Sequence, residues 1–155
     1  MNNRFMQEAI NLALESVQRG NGGPFGAVIV RGDTIVGRGA NQVTASNDPT
    51  AHAEIIAIRD ACRQLNTFRL SDCELYASCE PCPMCLAAIY WARIKRICYA
   101  STRNDAVEAG FSDELIHREI KLPPGERILR TEQVKHSDAL LPFAAWSKKA
   151  DKIRY

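Results

Sequence analysis

Three thiols stand at even spacing in SCEPCPMC, residues 78–85: Cys79, Cys82 and Cys85. Such spacing suggests a soft or borderline metal, and the number of thiols that bind decides the chemistry. Four protein ligands make a closed zinc site that holds structure; three leave a position for water and make a catalytic one. The prolines bear on the choice. Pro81 and Pro83 push Glu80 and Cys82 toward extended backbone, and proline is favoured at the first position of a helix. The segment therefore predicts a helix starting at Pro83 with Cys82 as its cap. Cys85 falls in the first turn on the side of Cys82, where unpaired N–H groups and the positive end of the helix dipole favour thiolates. Cys79 ends the preceding strand, separated from Cys82 by an extended pair that spans up to ~10 Å. It reads as a small buried apolar residue.

Two thiolates need a further ligand, and the chain has three histidines, His52, His117 and His136. His117 lies in a charged helical stretch and His136 in VKHSD, both surface contexts. His52, in TAHAEI, opens a helix with Glu54 two positions on. His52, Cys82 and Cys85 thus supply a three-ligand zinc site whose fourth position falls to water. Zinc lowers the pKa of such a water toward ~7. Glu54, not needed as a ligand, can take the water proton and hand it on, serving as base and acid in turn. If Cys79 closed the site instead, the chain would be a non-catalytic zinc-stabilised domain.

Elements that could position these residues are legible around them. Met6, Ile10, Ala13 and Val17 form a helical stripe over residues 4–19, with Gly20 as its stop. AVIV (27–30) and IVG (35–37) predict a hairpin turning near Gly32-Asp33. Residues 51–65 put Ile55, Ile58, Cys62 and Leu65 on one helical face. ELYAS (74–78) and ICYAS (97–101) read as strands, the second as buried, on either side of the cysteine helix. DELIHREI (113–120) reads as a helix broken by LPPG, followed by a short strand near 127–134 and a helix from about 138. Alternating strands and helices point to an α/β layered fold, parallel in part after the hairpin.

Size and charge exclude several classes. A chain of 155 residues with 46% apolar and 25% charged residues suits one soluble domain. Twenty basic against 18 acidic side chains, a net charge of +2, give no general attraction to nucleic acid or acidic membranes. ARIKRI and KKADKIR read as solvated faces. The N-terminus lacks a signal-peptide core, and no apolar run approaches the ~20 residues of a membrane span. A cytoplasmic location is expected, where six cysteines read as ligands or buried thiols sooner than disulfides. Cys62, Cys73 and Cys98 carry no assigned chemistry.

Taken together, GGPFGAVIV (22–30), SNDPTAHAEI (46–55), SCEPCPMCLAAIYWARI (78–94) and DAVEAGFSDE (105–114) resemble the cytidine deaminase superfamily, most closely its bacterial guanine deaminase branch. The pairing of H-x-E with P-C-x-x-C specifies the superfamily; the other stretches narrow it. The resemblance implies a three-layer α/β/α fold with a mixed five-stranded sheet, and hydrolysis of guanine to xanthine and ammonia. It implies His52, Cys82 and Cys85 as ligands to one Zn²⁺ per chain, with Glu54 as proton shuttle. It implies further that Asn41 hydrogen-bonds the purine, that Phe25 lines the base pocket and that Asp113 reaches the substrate or its leaving amine. It also implies a homodimer in which a C-terminal segment, about residues 138–155 of an otherwise single domain, is exchanged, and Tyr155 closes the neighbour's site. The rival enzymatic readings are deamination of guanosine or another aminated purine or triazine, and tRNA adenosine deamination. The acid-interleaved RNDAVEAGFSDELIHREI speaks against the last.

Overall fold

The computed structural model describes residues 3–154; Tyr155, with its implied lid role, lies outside the described residues. The chain forms two compact units, Met1–Asp113 and Glu114–Tyr155.

The first unit is built on a four-stranded sheet in the order β2-β1-β3-β4. Its strands are β1 (Gly26–Arg31), β2 (Thr34–Ala40), β3 (Cys73–Cys79) and β4 (Arg96–Ser101). β1 pairs antiparallel with both β2 and β3, whereas β3 and β4 run parallel, so the sheet is mixed. The β1–β2 turn falls at Gly32-Asp33 as expected, with Gly32 at φ 58°, a left-handed conformation that glycine adopts without strain.

Both faces of β1 are covered. Val28 and Val30 join Phe5 and Tyr76 in one cluster beneath α1 (Asn3–Gln18). Ala27 and Ile29 join Ala53, Ala57, Ala61, Leu75 and Ile89 in the other, beneath α3 (Ala53–Leu65) and α4 (Pro83–Trp91). Three layers result, as expected.

The helices lie closer to the sheet than their large apolar residues predict. A Cβ on Gly39 would stand 2.0 Å from the Ala53 carbonyl oxygen, and one on Gly37 would stand 2.4 Å from that of Ala57. The face of α3 turned to the sheet is therefore the alanine row Ala53, Ala57 and Ala61, with Glu54 also buried. The expected row Ile55, Ile58, Cys62 and Leu65 is only half-buried. In α1 the buried residues are Phe5, Ala9, Ala13 and Ser16; of the expected stripe Ala13 is buried, Met6 and Ile10 are half-buried and Val17 is exposed.

Two further expectations are corrected. β4 is not buried; it is an edge strand with a mostly exposed surface, Tyr99 included. The fifth strand does not form among the described residues. Ile128, Leu129 and Val134 do not alternate as a half-buried strand requires, and all three are exposed. The segment bonds within its own unit instead: the Ile128 N–H donates to Glu119 (2.6 Å) and the Arg127 Nε to the Leu122 carbonyl (3.0 Å).

Two short helices went unanticipated, α2 (Val43–Ser46) and α5 (Arg103–Glu108). The second unit holds α6 (Glu114–Glu119), a 3₁₀ turn at Pro124–Glu126 and α7 (Leu141–Lys148). None of its described residues is buried.

Candidate active site

Helix α4 begins where the prolines place it. Pro83 is its first residue and Cys82 its cap, extended at φ −65° and ψ 168°. His52 caps α3 in the same way, at φ −70° and ψ 153°. Both residues leave their helices' first N–H groups without a side-chain cap, so two positive helix ends converge on the sulfurs and favour negative charge there.

The donor atoms of His52, Cys82 and Cys85 all lie within 4.8 Å of one another. His52 Nδ1 stands 3.6 Å from the Cys82 Sγ and 3.5 Å from the Cys85 Sγ. A tetrahedral ion with Zn–S near 2.3 Å and Zn–N near 2.0–2.1 Å requires S···N edges of ~3.6 Å. The three donors therefore fit zinc by type, and both S···N edges match its spacing. Cys79, the last residue of β3, does not join them. Its Sγ contacts the Thr102 carbonyl oxygen at 3.5 Å, and burial raises its pKa. Cys79→Ser is accordingly expected to keep one zinc per chain and most of any activity, at a stability cost of about 1 kcal/mol. Metal analysis checks this, and loss of zinc would restore Cys79 as a ligand.

The thiols share charge unequally. A hydrogen bond from Cys85 above all holds the Cys82 pKa down to about 4, so Cys82 is a thiolate throughout the physiological range. The neighbouring Cys82 thiolate, together with burial, raises that of Cys85. His52 is raised chiefly by its hydrogen bond to Cys82.

Glu54 occupies the first turn of α3 and is only 7% exposed. Burial, before any other cause, raises its pKa. A carboxyl so placed moves toward the working pH at which one group can both accept and donate a proton.

Asn41 follows β2 and is buried. Its Oδ1 accepts the N–H of Gly23 (3.1 Å) and of Val43 (3.2 Å). Only a carbonyl oxygen can accept twice, so the amide's NH₂ end is the one left to donate. The next residue ties this loop to the metal site: the Gln42 N–H donates to the Ala51 carbonyl (3.0 Å), immediately before His52.

Phe25 meets Phe111 edge-on, ring centroids 5.0 Å apart. The two line an apolar cleft of about 420 Å³ with Ile10, Leu14, Val17 and Cys79, but with none of the three donors. Asp113 is half-buried and pairs with Arg103 at 3.5 Å. Among the described residues the donor group consists of His52, Cys82 and Cys85.

Residues 1–101 match the cytidine and deoxycytidylate deaminase zinc-binding region. The chain belongs to that family. It is 54% identical to guanine deaminase of Bacillus subtilis (strain 168) over 151 residues, 97% of each chain. The X-ray structure of guanine deaminase from Bacillus subtilis superposes with a TM-score of 0.97 at 53% identity, covering 100% of this chain and 99% of that one. A tRNA-specific adenosine deaminase of Aquifex aeolicus (strain VF5) is 41% identical over 97 residues, 63% of this chain and 64% of that one. Similarity to the guanine enzyme thus runs through the second unit, whereas the tRNA enzyme shares about two thirds of the chain.

Sequence reasoning missed Ser16, whose hydroxyl donates to the Asn41 carbonyl at 2.8 Å from a fully buried position in α1. A polar residue on the inner face of an otherwise apolar helix was the available signal.

Proposed function

We propose that the protein hydrolyses guanine to xanthine and ammonia, with His52, Cys82 and Cys85 holding zinc and Glu54 moving the protons. The observation that carries the reading is the pairing of a zinc-shaped donor triad with a buried carboxyl two residues from one donor. Similarity along 97% of a guanine deaminase supplies the substrate.

Zinc, when bound, brings a water near neutrality in pKa and so supplies the nucleophile. The protein residues do the rest. Glu54 accepts the proton of the attacking water and delivers it to the ring nitrogen beside the amine-bearing carbon. It then takes the proton of the hydroxyl now on that carbon and gives it to the amine as the C–N bond breaks, leaving a carbonyl and ammonia. Asn41 offers its NH₂ group to an acceptor on the purine. Asp113, held by Arg103, is assigned to the leaving amine, and Phe25 to a wall of the base pocket.

Ammonia release from guanine, with guanosine, adenine and cytosine in parallel, tests the substrate. Release from guanine well above the rest is expected. Release from guanosine or adenine in its place would move the assignment to another aminated ring.

The working assembly is a homodimer with the C-terminal segment exchanged. In residues 114–154, Ile128, Leu129, Val134, Leu140, Leu141 and Phe143 are each more than 60% exposed. A segment with no buried core of its own gains stability by being covered. Mixing Glu54→Gln protein with protein truncated at residue 137 tests exchange directly. If the segment acts in trans, mixed dimers carry one complete site and about a quarter of full activity returns; no recovery assigns the segment to its own chain.

No helix among the described residues is long and apolar enough to cross a membrane. All six cysteines are unpaired, which supports a cytoplasmic setting.

A further inference from the structure

Asn41 is held at more points than a loop residue needs. Its own N–H donates to the Phe25 carbonyl (2.9 Å), and its carbonyl accepts the Ser16 hydroxyl (2.8 Å). Its side-chain oxygen takes the amides of Gly23 and Val43. Backbone and carboxamide are thereby fixed independently, and neither rotation about χ2 nor a flip of the amide is available without breaking two bonds.

The turn that delivers the Gly23 amide approaches very closely. A Cβ on Gly22 would stand 2.2 Å from the Asn41 Oδ1 and 2.8 Å from its carbonyl oxygen. Contacts under 3.0 Å at both oxygens leave no room for any side chain at position 22, and one of the two contacts is backbone. The turn is itself anchored: the Asn21 carbonyl accepts the Thr44 hydroxyl (2.8 Å) and the Ala45 N–H (3.0 Å) from α2. The end of α1, the glycine turn and α2 thus close around a single carboxamide.

We infer that Gly22 and Ser16 are positioning residues that set the direction in which the Asn41 NH₂ group is presented to the purine. The inference rests on guanine as the substrate and on Asn41 as its ligand. Gly22 acts by having no side chain, which lets the Gly23 amide reach Oδ1. Ser16 acts by locking the backbone from which the carboxamide hangs. Neither touches the substrate, so both act on how well the ring is held and leave the proton transfers at Glu54 alone.

A double-mutant cycle reads this out. Gly22→Ala and Ser16→Ala are each combined with Asn41→Ala, and kcat and KM for guanine are measured on zinc-replete protein. Zinc content and the thermal midpoint serve as folding controls. Each single variant is expected to raise KM by ~3–10-fold, the size of one lost or misdirected hydrogen bond, with kcat changed less than KM. In the Asn41→Ala background the same changes are expected to alter KM by less than about twofold, because the group they position is gone. Effects that persist undiminished in that background, or that fall on kcat, or their absence from both backgrounds, would overturn the inference. A Gly22→Ala chain that fails to hold zinc passes the decision to Ser16→Ala, which removes one oxygen and adds no bulk. Wild-type protein inert toward guanine would instead remove the substrate assignment beneath it, a different and separately visible outcome.

Discussion

Glu54→Gln is expected to lower kcat by ~10²–10⁴ or more while one zinc per chain is retained. Glutamine matches glutamate in size and can still hydrogen-bond, so the cavity and the three donors are preserved. What disappears is a group able to take a proton and return it. Stability should not fall. The Glu54 carboxyl is raised by burial above its ordinary value of 4.5. A carboxyl whose pKa is higher folded than unfolded loses stability as pH rises through that interval, and the loss persists at neutral pH. An uncharged amide escapes that penalty, so the zinc-stripped variant is expected to melt at or above the stripped wild type at pH 7. Kinetics, metal analysis and a thermal melt check the three parts. A fully active Glu54→Gln protein would remove the proton shuttle from the mechanism.

Removal of zinc carries the second large effect. Activity should vanish with the metal and return when zinc is restored. The sheet and its two clusters do not depend on the donors, so a cooperative melt should survive at lower temperature. With free zinc 1,000-fold above its Kd, binding contributes about 4 kcal/mol, or ~8–16 °C in a domain of this size. Affinity should weaken as pH falls. His52 and Cys85 are both raised, so the metal must displace their protons, and acid favours the protons. Cys82, near 4, resists this competition until the pH is low. Titration of zinc into stripped protein in weak buffer should release protons near pH 7. Unchanged activity after complete stripping would contradict the site.

Much of the centre was legible because its signals are local. Proline chemistry alone puts the start of α4 at Pro83, and with it Cys82 at the cap and Cys85 one turn on. The exclusion of Cys79 follows from the extended residues between it and Cys82. The errors arose where packing distance decided. In α3 the larger residues suggested the inner face, but Gly37 and Gly39 bring the helix so near that only alanines fit. A glycine pair in a strand and alanines every fourth residue in a following helix were the missed signal. α5 had its own mark, a capping box between Thr102 and Asp105 with Gly110 beyond, lost among stretches read only for their resemblance. The strand expected near 127–134 and the burial expected for β4 both required a neighbour that the sequence does not name.

The most direct measurement is guanine turnover in ¹⁸O-labelled water, following both products. Hydrolysis at the zinc site predicts one ammonia and one xanthine carrying a single new ¹⁸O per guanine consumed, with no turnover in the stripped protein. Guanine left intact by zinc-replete protein, or xanthine formed without the label, would contradict it.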